Sequence, residues 1–246
     1  RLAIKRWYSF LNLQKRNLGK VKKVISPSES SKKDICHYFS YPADQISVIW
    51  NGIDLEDCKF HERDSFNAKF VTIISADVPM KNLKNILKAL YLLKLENIDA
   101  TLTIIGDLRD ENKKLIKELN LNNEVIYKEK LSRKELIKTL HESDIGIAAS
   151  SYEGFGFPLV EMIATGLPVI VSDKASLPEL AGKAGLIFNS TNVDELKEKM
   201  KELIKDDVLR KDLSENSKRR RDDFFGWDEY AKKLEVLFEE IISGNI

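Results

Sequence analysis

The fold class is indicated most clearly by residues 144–168, which read DIGIAASSYEGFGFPLVEMIATGLP. This stretch opens with an apolar run that predicts a buried strand, passes through a loop containing Gly154 and Gly156, and ends in an apolar helical segment closed by Gly166. Pro158 suits the start of that helix, because its missing N–H costs nothing in the first turn. A strand, a glycine turn and a helix in this order are the repeating unit of a parallel α/β sheet.

The same alternation of short β-branched runs and amphipathic segments extends in both directions along the chain. The runs predict strands at 70–75, 101–105, 124–127, 144–149, 168–172 and 185–188. The amphipathic segments predict helices at 82–95, 112–119, 133–141, 158–165 and 193–205. Such a series winds into a Rossmann-like, doubly wound parallel sheet of the α/β class.

The part before residue 70 follows another pattern, with a basic helix at 3–18, a strand at 22–25, a helix at 30–39 and a strand at 46–49. Two strands are too few for a separate stable domain. We therefore expect 1–54 to be the trailing part of an N-terminal domain, 55–225 to be the Rossmann-like domain, and 226–246 to be a helix that packs back toward the N-terminal part. Because the chain starts at Arg1 rather than Met, we expect it to be a fragment of a longer protein.

Composition excludes several classes of protein. Forty basic and thirty-nine acidic residues leave a net charge of +1. The protein therefore has no overall positive potential that would attract nucleic acid. The two cysteines, Cys36 and Cys58, form no metal-binding or disulfide pattern, which fits a cytoplasmic location. No apolar run is long enough for a spanning helix.

The glycine-rich turn carries the strongest indication of chemistry. Ligands of doubly wound sheets bind beyond the carboxyl ends of the strands, where free amides and a helix dipole favour phosphate. Glu153 stands before the loop and Glu161 lies one turn into the helix, so both can face one cleft and accept hydrogen bonds from neighbouring sugar hydroxyls. Glu161 taken alone is also explained as a carboxylate that complements the helix dipole.

Lys81 lies at another strand-to-helix turn. A lysine at a helix N-terminus opposes the macrodipole unless an anion lies beside it, and a diphosphate would be that anion. The alternative is a solvated basic stripe shared with Lys84 and Lys88.

Together these segments resemble family 4 glycosyltransferases of the GT-B fold. Residues 150–161 match the E-x7-E motif and its EGFG-x-P-x-x-E surroundings, and residues 166–169 match the "G-x-P-V" exit. Further matches are LPEL at 177–180, Lys81-Asn82, and Asn51-Gly52-Ile53-Asp54 at the expected domain crossing, where Trp50 replaces a proline.

The resemblance implies a metal-independent, retaining transfer from a nucleotide diphosphate sugar to a saccharide or lipid-linked acceptor, with no cofactor and no metal. Glu153 and Lys81 are then the catalytic candidates. The donor-binding candidates are Glu161, Gly154, Phe155, Gly156, Phe157, Ser75, Gly106, Lys130 and Leu131. Ser75 stands where many family members have an arginine on the diphosphate, a loss of about 1.5–3 kcal/mol if nothing replaces the contact. Gly106 is also explained as an ordinary strand exit.

Three alternatives remain open at the level of sequence. A sugar-nucleotide epimerase of the same fold would use carboxylates and a histidine in the cleft. A degenerate transferase domain would serve as a partner subunit, and Ser75 favours it. The basic opening helix would either touch anionic lipid at a membrane surface or cover the N-terminal domain as a solvated helix. The oligomeric state is not predicted.

Overall fold

The structure is a computed structural model that describes residues 2–63 and 65–244, without the side chains of residues 2–9, 75 and 76. The N-terminal part contains helix α1 (Leu2–Leu18), strand β1 (Val24–Ser26), helix α2 (Glu29–Phe39) and strand β2 (Ile46–Val48). β1 and β2 pair in parallel as a small sheet of their own. Ser28 caps α2 by accepting a hydrogen bond from the amide of Ser31, which fixes where this helix begins.

A second sheet of six parallel strands forms the larger part of the molecule. Its strands are β3 (Lys69–Ala76), β4 (Thr101–Asp107), β5 (Val125–Lys128), β6 (Ile145–Ala148), β7 (Val169–Ser172) and β8 (Gly185–Phe188). They lie in the order β5-β4-β3-β6-β7-β8, so the order reverses between β3 and β6. The Rossmann-like α/β fold class is confirmed, and the reversal places the expected ligand crevice above β3 and β6.

Helices cover both faces of the larger sheet. They are α3 (Leu83–Leu95), α4 (Asp110–Glu118), α5 (Arg133–His141), α6 (Phe157–Ala164), α7 (Leu177–Ala181), α8 (Val193–Lys205) and α9 (Asp207–Arg221). A further helix, α10 (Trp227–Ser243), follows them in the chain. Consecutive residues of β3 enter different cores: Phe70 joins the cluster that includes α3 and α8, and Val71 joins the cluster that includes α6 and α7. This is the alternation expected of a strand buried on both faces.

The segment that joins the two sheets crosses close to α10. The amide of Ile53 donates to the carbonyl of Phe225 at 2.9 Å. A Cβ on Gly52 would lie 2.8 Å from the Cα of Trp227, so only glycine lets the backbones approach this closely. The Asn-Gly pair therefore has the structural role expected from sequence.

Helix α10 carries both buried and exposed apolar side chains. Leu237 is buried, whereas Phe238 is 50% exposed. That this helix packs back toward the N-terminal part stays a prediction. Among the described residues, no helix is both long enough and apolar enough to cross a membrane.

Candidate functional site

Lys81 and Glu153 meet above the point where the strand order reverses. Lys81 ends a short 3-10 helix, Pro79–Lys81, that follows β3, and Glu153 lies in the loop after β6. The Nζ of Lys81 donates to Oε1 of Glu153 at 2.6 Å, and the Oγ of Ser150 donates to the same oxygen at 2.8 Å. The two side chains are only 14% and 18% exposed. An ammonium and a carboxylate thus stand together in a largely desolvated position at the carboxyl edge of the sheet.

This geometry excludes one of the two sequence interpretations of Lys81. Lys84 and Lys88 are exposed, whereas Lys81 is turned into the site, so the three lysines do not form one solvated stripe. The anion beside Lys81 in this structure is Glu153, where the sequence argument expected a diphosphate. Diphosphate binding by Lys81 stays a prediction, and such a ligand would have to compete with Glu153 for the ammonium group.

A small cavity lies directly under this pair. It is bounded by the ends of β3 and β6, by the first turn of α6 and by Lys81, Glu153 and Gly156. Gly156 has φ +112° and forms the N-cap of α6, a backbone conformation that side-chain-bearing residues rarely adopt. The amide of Leu159 is the first in this turn to donate to the Gly156 carbonyl, at 3.0 Å. The loop amides before it therefore lie at the positive end of the helix dipole.

The small N-terminal part holds the glycine loop from outside. The hydroxyls of Ser28 and Ser31, at the start of α2, donate to the carbonyl of Gly154 at 2.7 and 3.0 Å. Beside them, the hydroxyl of Tyr152 donates to Asp34 of α2 at 2.9 Å. Gly154 therefore contacts the N-terminal part through its carbonyl oxygen. A ligand at this loop would meet the neighbouring amides and not this carbonyl.

The two phenylalanines of the loop differ in environment. Phe155 is 4% exposed, belongs to the core beneath α6 and accepts a short hydrogen bond on its carbonyl from Ser176. Phe157 is 40% exposed, and its ring lies 6.3 Å from that of Trp227. The ring of Phe155 is thus packed in the core, and the prediction that Phe155 binds the donor stays a prediction that only its backbone could meet.

Glu161 lies further along α6 and already has a cationic partner. Arg133, the first residue of α5, donates through Nη1 to Oε1 of Glu161 in a short hydrogen bond. The same guanidinium reaches Oδ2 of Asp57 at 3.3 Å and Sγ of Cys58 at 3.2 Å. Burial lowers the pKa of Arg133, but the hydrogen bond and charge of Glu161 more than offset this, so the pKa lies above its ordinary value. Burial also raises the pKa of the Cys58 thiol to about 11.

Sequence reasoning missed Arg133. The signal was present, because a basic residue in the first turn of a helix calls for a nearby anion, which is the argument applied to Lys81. Arg133 follows Ser132, whose side chain forms a capping box with Glu135 and so marks the helix start. The start of α5 at Arg133 was predicted, but the pairing of Arg133 with Glu161 on α6 was not.

The remaining candidates lie along the same edge of the sheet. Gly106 lies within β4 with φ +128°, a backbone conformation that glycine adopts more easily than other residues. Lys130 is exposed with φ 51°, and Leu131 is half-buried against the core beneath α6. The backbone of Ser75 pairs with Gly106 in the sheet, but its side chain lies outside the described residues.

Metal ligands and histidines are two further kinds of group that can carry chemistry at such a site. The described residues contain no group of three or more His, Cys, Asp or Glu that could hold a metal ion. All three histidines are described, and none of them lines the cavity under Lys81 and Glu153. His61 and His141 stack on each other with ring centroids 4.8 Å apart, on the segment that joins the sheets and at the end of α5.

A doubly wound parallel sheet of this strand order, with a glycine loop, a lysine and a carboxylate at its switch point, is the Rossmann-like architecture of the GT-B type. The model of the family described as "Glycosyl transferases group 1" matches residues 59–220, and that of "Glycosyltransferase Family 4" matches residues 2–57. The chain belongs to the group 1 glycosyl transferases, a family of enzymes with the GT-B fold, as the sequence resemblance predicted.

Known relatives agree with this assignment. The chain is 30% identical over 246 residues to the MMP alpha-(1->4)-mannosyltransferase of Mycolicibacterium hassiacum, which covers 98% of this chain and 59% of that protein. Among solved structures, sucrose-phosphate synthase from Thermosynechococcus elongatus superposes with a TM-score of 0.84 at 18% identity, over 96% of this chain and 62% of that one. The Anabaena protein HepE, solved with UDP and glucose, has a TM-score of 0.76 at 19% identity, over 92% of this chain and 67% of that one. The chain thus spans about three fifths of the length of the mannosyltransferase and of the synthase.

Proposed function

We propose that this chain supplies the donor-binding domain of a retaining glycosyltransferase. It takes a sugar from a nucleotide diphosphate sugar and passes it to a saccharide or lipid-linked acceptor. The observation that carries the proposal is the contact of 2.6 Å between Lys81 and Glu153 beside the glycine cradle. One ammonium group, one carboxylate and a helix N-terminus at a single spot fit a ligand that joins a diphosphate to a sugar.

Each group has a task in the transfer. Lys81 and the amides at the start of α6 stabilise the negative charge that grows on the departing diphosphate. Glu153, once released from Lys81, accepts hydrogen bonds from hydroxyls of the donor sugar and orients its ring. Glu161 accepts hydrogen bonds from the ribose, and the backbone near Lys130 and Leu131 receives the base. No step in this account uses a metal ion or a cofactor.

The small sheet is the part of the chain nearest to the acceptor side. Its helix α2 begins against the glycine loop, where Ser28 and Ser31 bind the Gly154 carbonyl. We expect most acceptor contacts to come from the N-terminal domain to which this sheet belongs. The 246-residue chain is therefore expected to bind nucleotide more readily than it transfers sugar.

Calorimetry with UDP and GDP tests the binding step. We expect one of the two nucleotides to bind, and Lys81→Ala and Glu161→Ala each to weaken binding about tenfold or more, which is the effect of losing one charge-assisted contact. Lys84→Ala, an exposed lysine close to Lys81 in sequence, is the matched control and should leave binding unchanged. Absence of binding by the wild-type chain to either nucleotide would overturn the proposal.

A turnover assay tests the reaction class. The release of nucleoside diphosphate that depends on an added acceptor supports transfer, whereas a sugar nucleotide that changes configuration without an acceptor would support an epimerase. The positions of the three histidines outside the cavity favour transfer. For a donor that turns over, NMR of the product should show that the anomeric configuration is kept, and an inverted product would contradict the retaining mechanism.

A further inference from the structure

Arg133 connects three parts of the molecule through one side chain. Its guanidinium donates to Glu161 on α6 and to Asp57 and Cys58 in the segment that joins the two sheets. The side chain is 33% exposed, and that of Glu161 is 16% exposed, so the contact between them is mostly shielded from solvent. A contact of this kind is held more firmly than a surface ion pair, whose members exchange readily with water.

The shape of the guanidinium explains why it can hold all three partners. Its N–H groups point outward in one plane at fixed angles. The bonds from Nε to Asp57 and from Nη2 to Cys58 therefore determine where the N–H groups of Nη1 point. Nη1 meets Oε1 of Glu161. Among the described residues, no hydrogen-bond donor reaches the other carboxylate oxygen, Oε2. Glu161 is therefore fixed through one oxygen and keeps the second one for a ligand.

We propose that Arg133 is a positioning residue for the donor. It holds the Glu161 carboxylate in one orientation, so that Oε2 accepts a hydrogen bond from a ribose hydroxyl. This inference rests on the proposed function, in which Glu161 receives the ribose. Asp57 acts one step further away, because it anchors the guanidinium from the joining segment.

The test compares ribose and deoxyribose nucleotides. UDP and 2′-deoxy-UDP, or GDP and 2′-deoxy-GDP if the chain prefers guanine, are titrated into the wild-type chain and its variants. The wild type should prefer the ribonucleotide about tenfold, the effect of one hydrogen bond to a carboxylate. Glu161→Ala should abolish this preference, and Arg133→Ala should reduce it to about twofold or less while the carboxylate is still present.

Two further variants make the result specific to Arg133. Lys138→Ala removes an exposed cation from the same helix, where Lys138 pairs with Glu142, and should keep the full preference. Arg133→Lys covers the case in which the alanine variant does not fold. Because a lysine ammonium is a point charge without the fork geometry, this variant should also lose most of the preference.

The outcomes separate this inference from the proposed function. If the wild type binds neither UDP nor GDP, the proposed function fails and the inference falls with it. If Glu161→Ala loses the ribose preference while folded Arg133→Ala or Arg133→Lys keeps it, only the role of Arg133 is overturned. Tighter UDP binding by Arg133→Ala would also overturn it, since Arg133 would then be blocking the carboxylate rather than orienting it.

Discussion

Replacing Glu153 by glutamine is expected to tighten the binding of a free nucleoside diphosphate. In the structure, Glu153 pairs with the ammonium group of Lys81, which the proposed diphosphate ligand would also need. Glutamine keeps the length of the side chain and an oxygen that accepts from Ser150, but it removes the negative charge. The cavity thus keeps its shape while Lys81 becomes free to meet the ligand.

The size of the effect follows from the geometry of the pair. At 2.6 Å the gross attraction between two unit charges is about 6 kcal/mol at an effective dielectric constant of about 20, and about 1.6 kcal/mol in water. Desolvation of both groups cancels most of the larger figure, which leaves a net cost of about 1–2 kcal/mol for separating them. When that cost is absent, Kd for UDP or GDP should fall by about 5- to 30-fold. The nucleotide sugar should gain less, because the amide of glutamine binds sugar hydroxyls less strongly than a carboxylate does.

Calorimetry of the wild type and of Glu153→Gln at the same salt concentration measures the difference. Glu142→Gln is the matched control, because it removes one negative charge from an exposed pair with Lys138. The control should bind UDP or GDP like the wild type. If Glu153→Gln binds the nucleoside diphosphate no more tightly than the control, Lys81 does not exchange its partner for the diphosphate.

Three other predictions concern the scaffold and the thiols. Gly52→Ala should lower the free energy of unfolding in urea by about 1–3 kcal/mol, because the new Cβ overlaps the Trp227 backbone, whereas Gly19→Ala, which has open space, should not destabilise the chain. Phe155→Ala should cost about 3–5 kcal/mol in the same measurement and Phe157→Ala much less, so equal losses would contradict the burial of the Phe155 ring. Iodoacetamide at pH 8 should alkylate the part-exposed Cys36 and spare Cys58, because burial raises the pKa of Cys58 to about 11 and its thiolate forms only as the pH approaches that value. Peptide mass spectrometry that finds both thiols labelled equally fast would contradict this.

Most of the larger sheet was predictable because its signals are local. A strand buried on both faces appears as an unbroken apolar run, and the glycines and prolines that end such runs act within a few residues. The bounds of β8 (Gly185–Phe188), α5 (Arg133–His141) and α8 (Val193–Lys205) agree with prediction. Other bounds shift by one or two residues; for example, α6 starts at Phe157 instead of Pro158.

Two helices were missed, for different reasons. Helix α7 (Leu177–Ala181) is a single short turn beginning Leu-Pro, which a helical period cannot identify. Helix α9 (Asp207–Arg221) is long but strongly polar, and Leu213 and Ser217 are its only buried residues. A strongly polar helix has no apolar residues at helical spacing by which it could be recognised in the sequence. Its stability comes from packing against other elements. The local signals available were the cap at Asp206, which accepts from the amide of Leu209, and the basic residues of the last turn.

The residues of the site were predictable, but their pairing was not. Spacing indicated that Lys81, Glu153 and Glu161 would lie at strand-to-helix turns. Which cation meets which carboxylate depends on how segments far apart in sequence are packed: Lys81 meets Glu153, and Arg133 meets Glu161. Sequence patterns carry no information about such contacts until the order of the strands is known.

Two arginines at the end of α9 bind backbone carbonyls of other elements. Arg220 donates to the carbonyls of Leu180 and Glu179 in α7, and its guanidinium lies 4.8 Å from the ring of Trp50. Arg221 donates to the carbonyls of Leu55 and Cys58 in the segment that joins the two sheets. The two guanidinium groups thus satisfy carbonyls that have no strand partner.

Glu179 and Trp50 complete this connection between the two sheets. The carboxylate of Glu179 accepts a hydrogen bond from the indole N–H of Trp50 at 2.9 Å. It also accepts from the first two amides of α2, those of Glu29 and Ser30, at 3.1 and 3.3 Å. Trp50 stands where the resembling family has proline, which has no side-chain donor, so this chain makes a contact there that a proline could not. The joining segment then continues to Asp57, which holds Arg133 and through it Glu161. The joining segment thus contacts Glu179 at Trp50 and Arg133 at Asp57. If the proposed role of Glu161 is right, we expect a change at Trp50 to alter nucleotide binding although Trp50 is not a proposed ligand contact, and calorimetry of a Trp50 variant with UDP or GDP measures this.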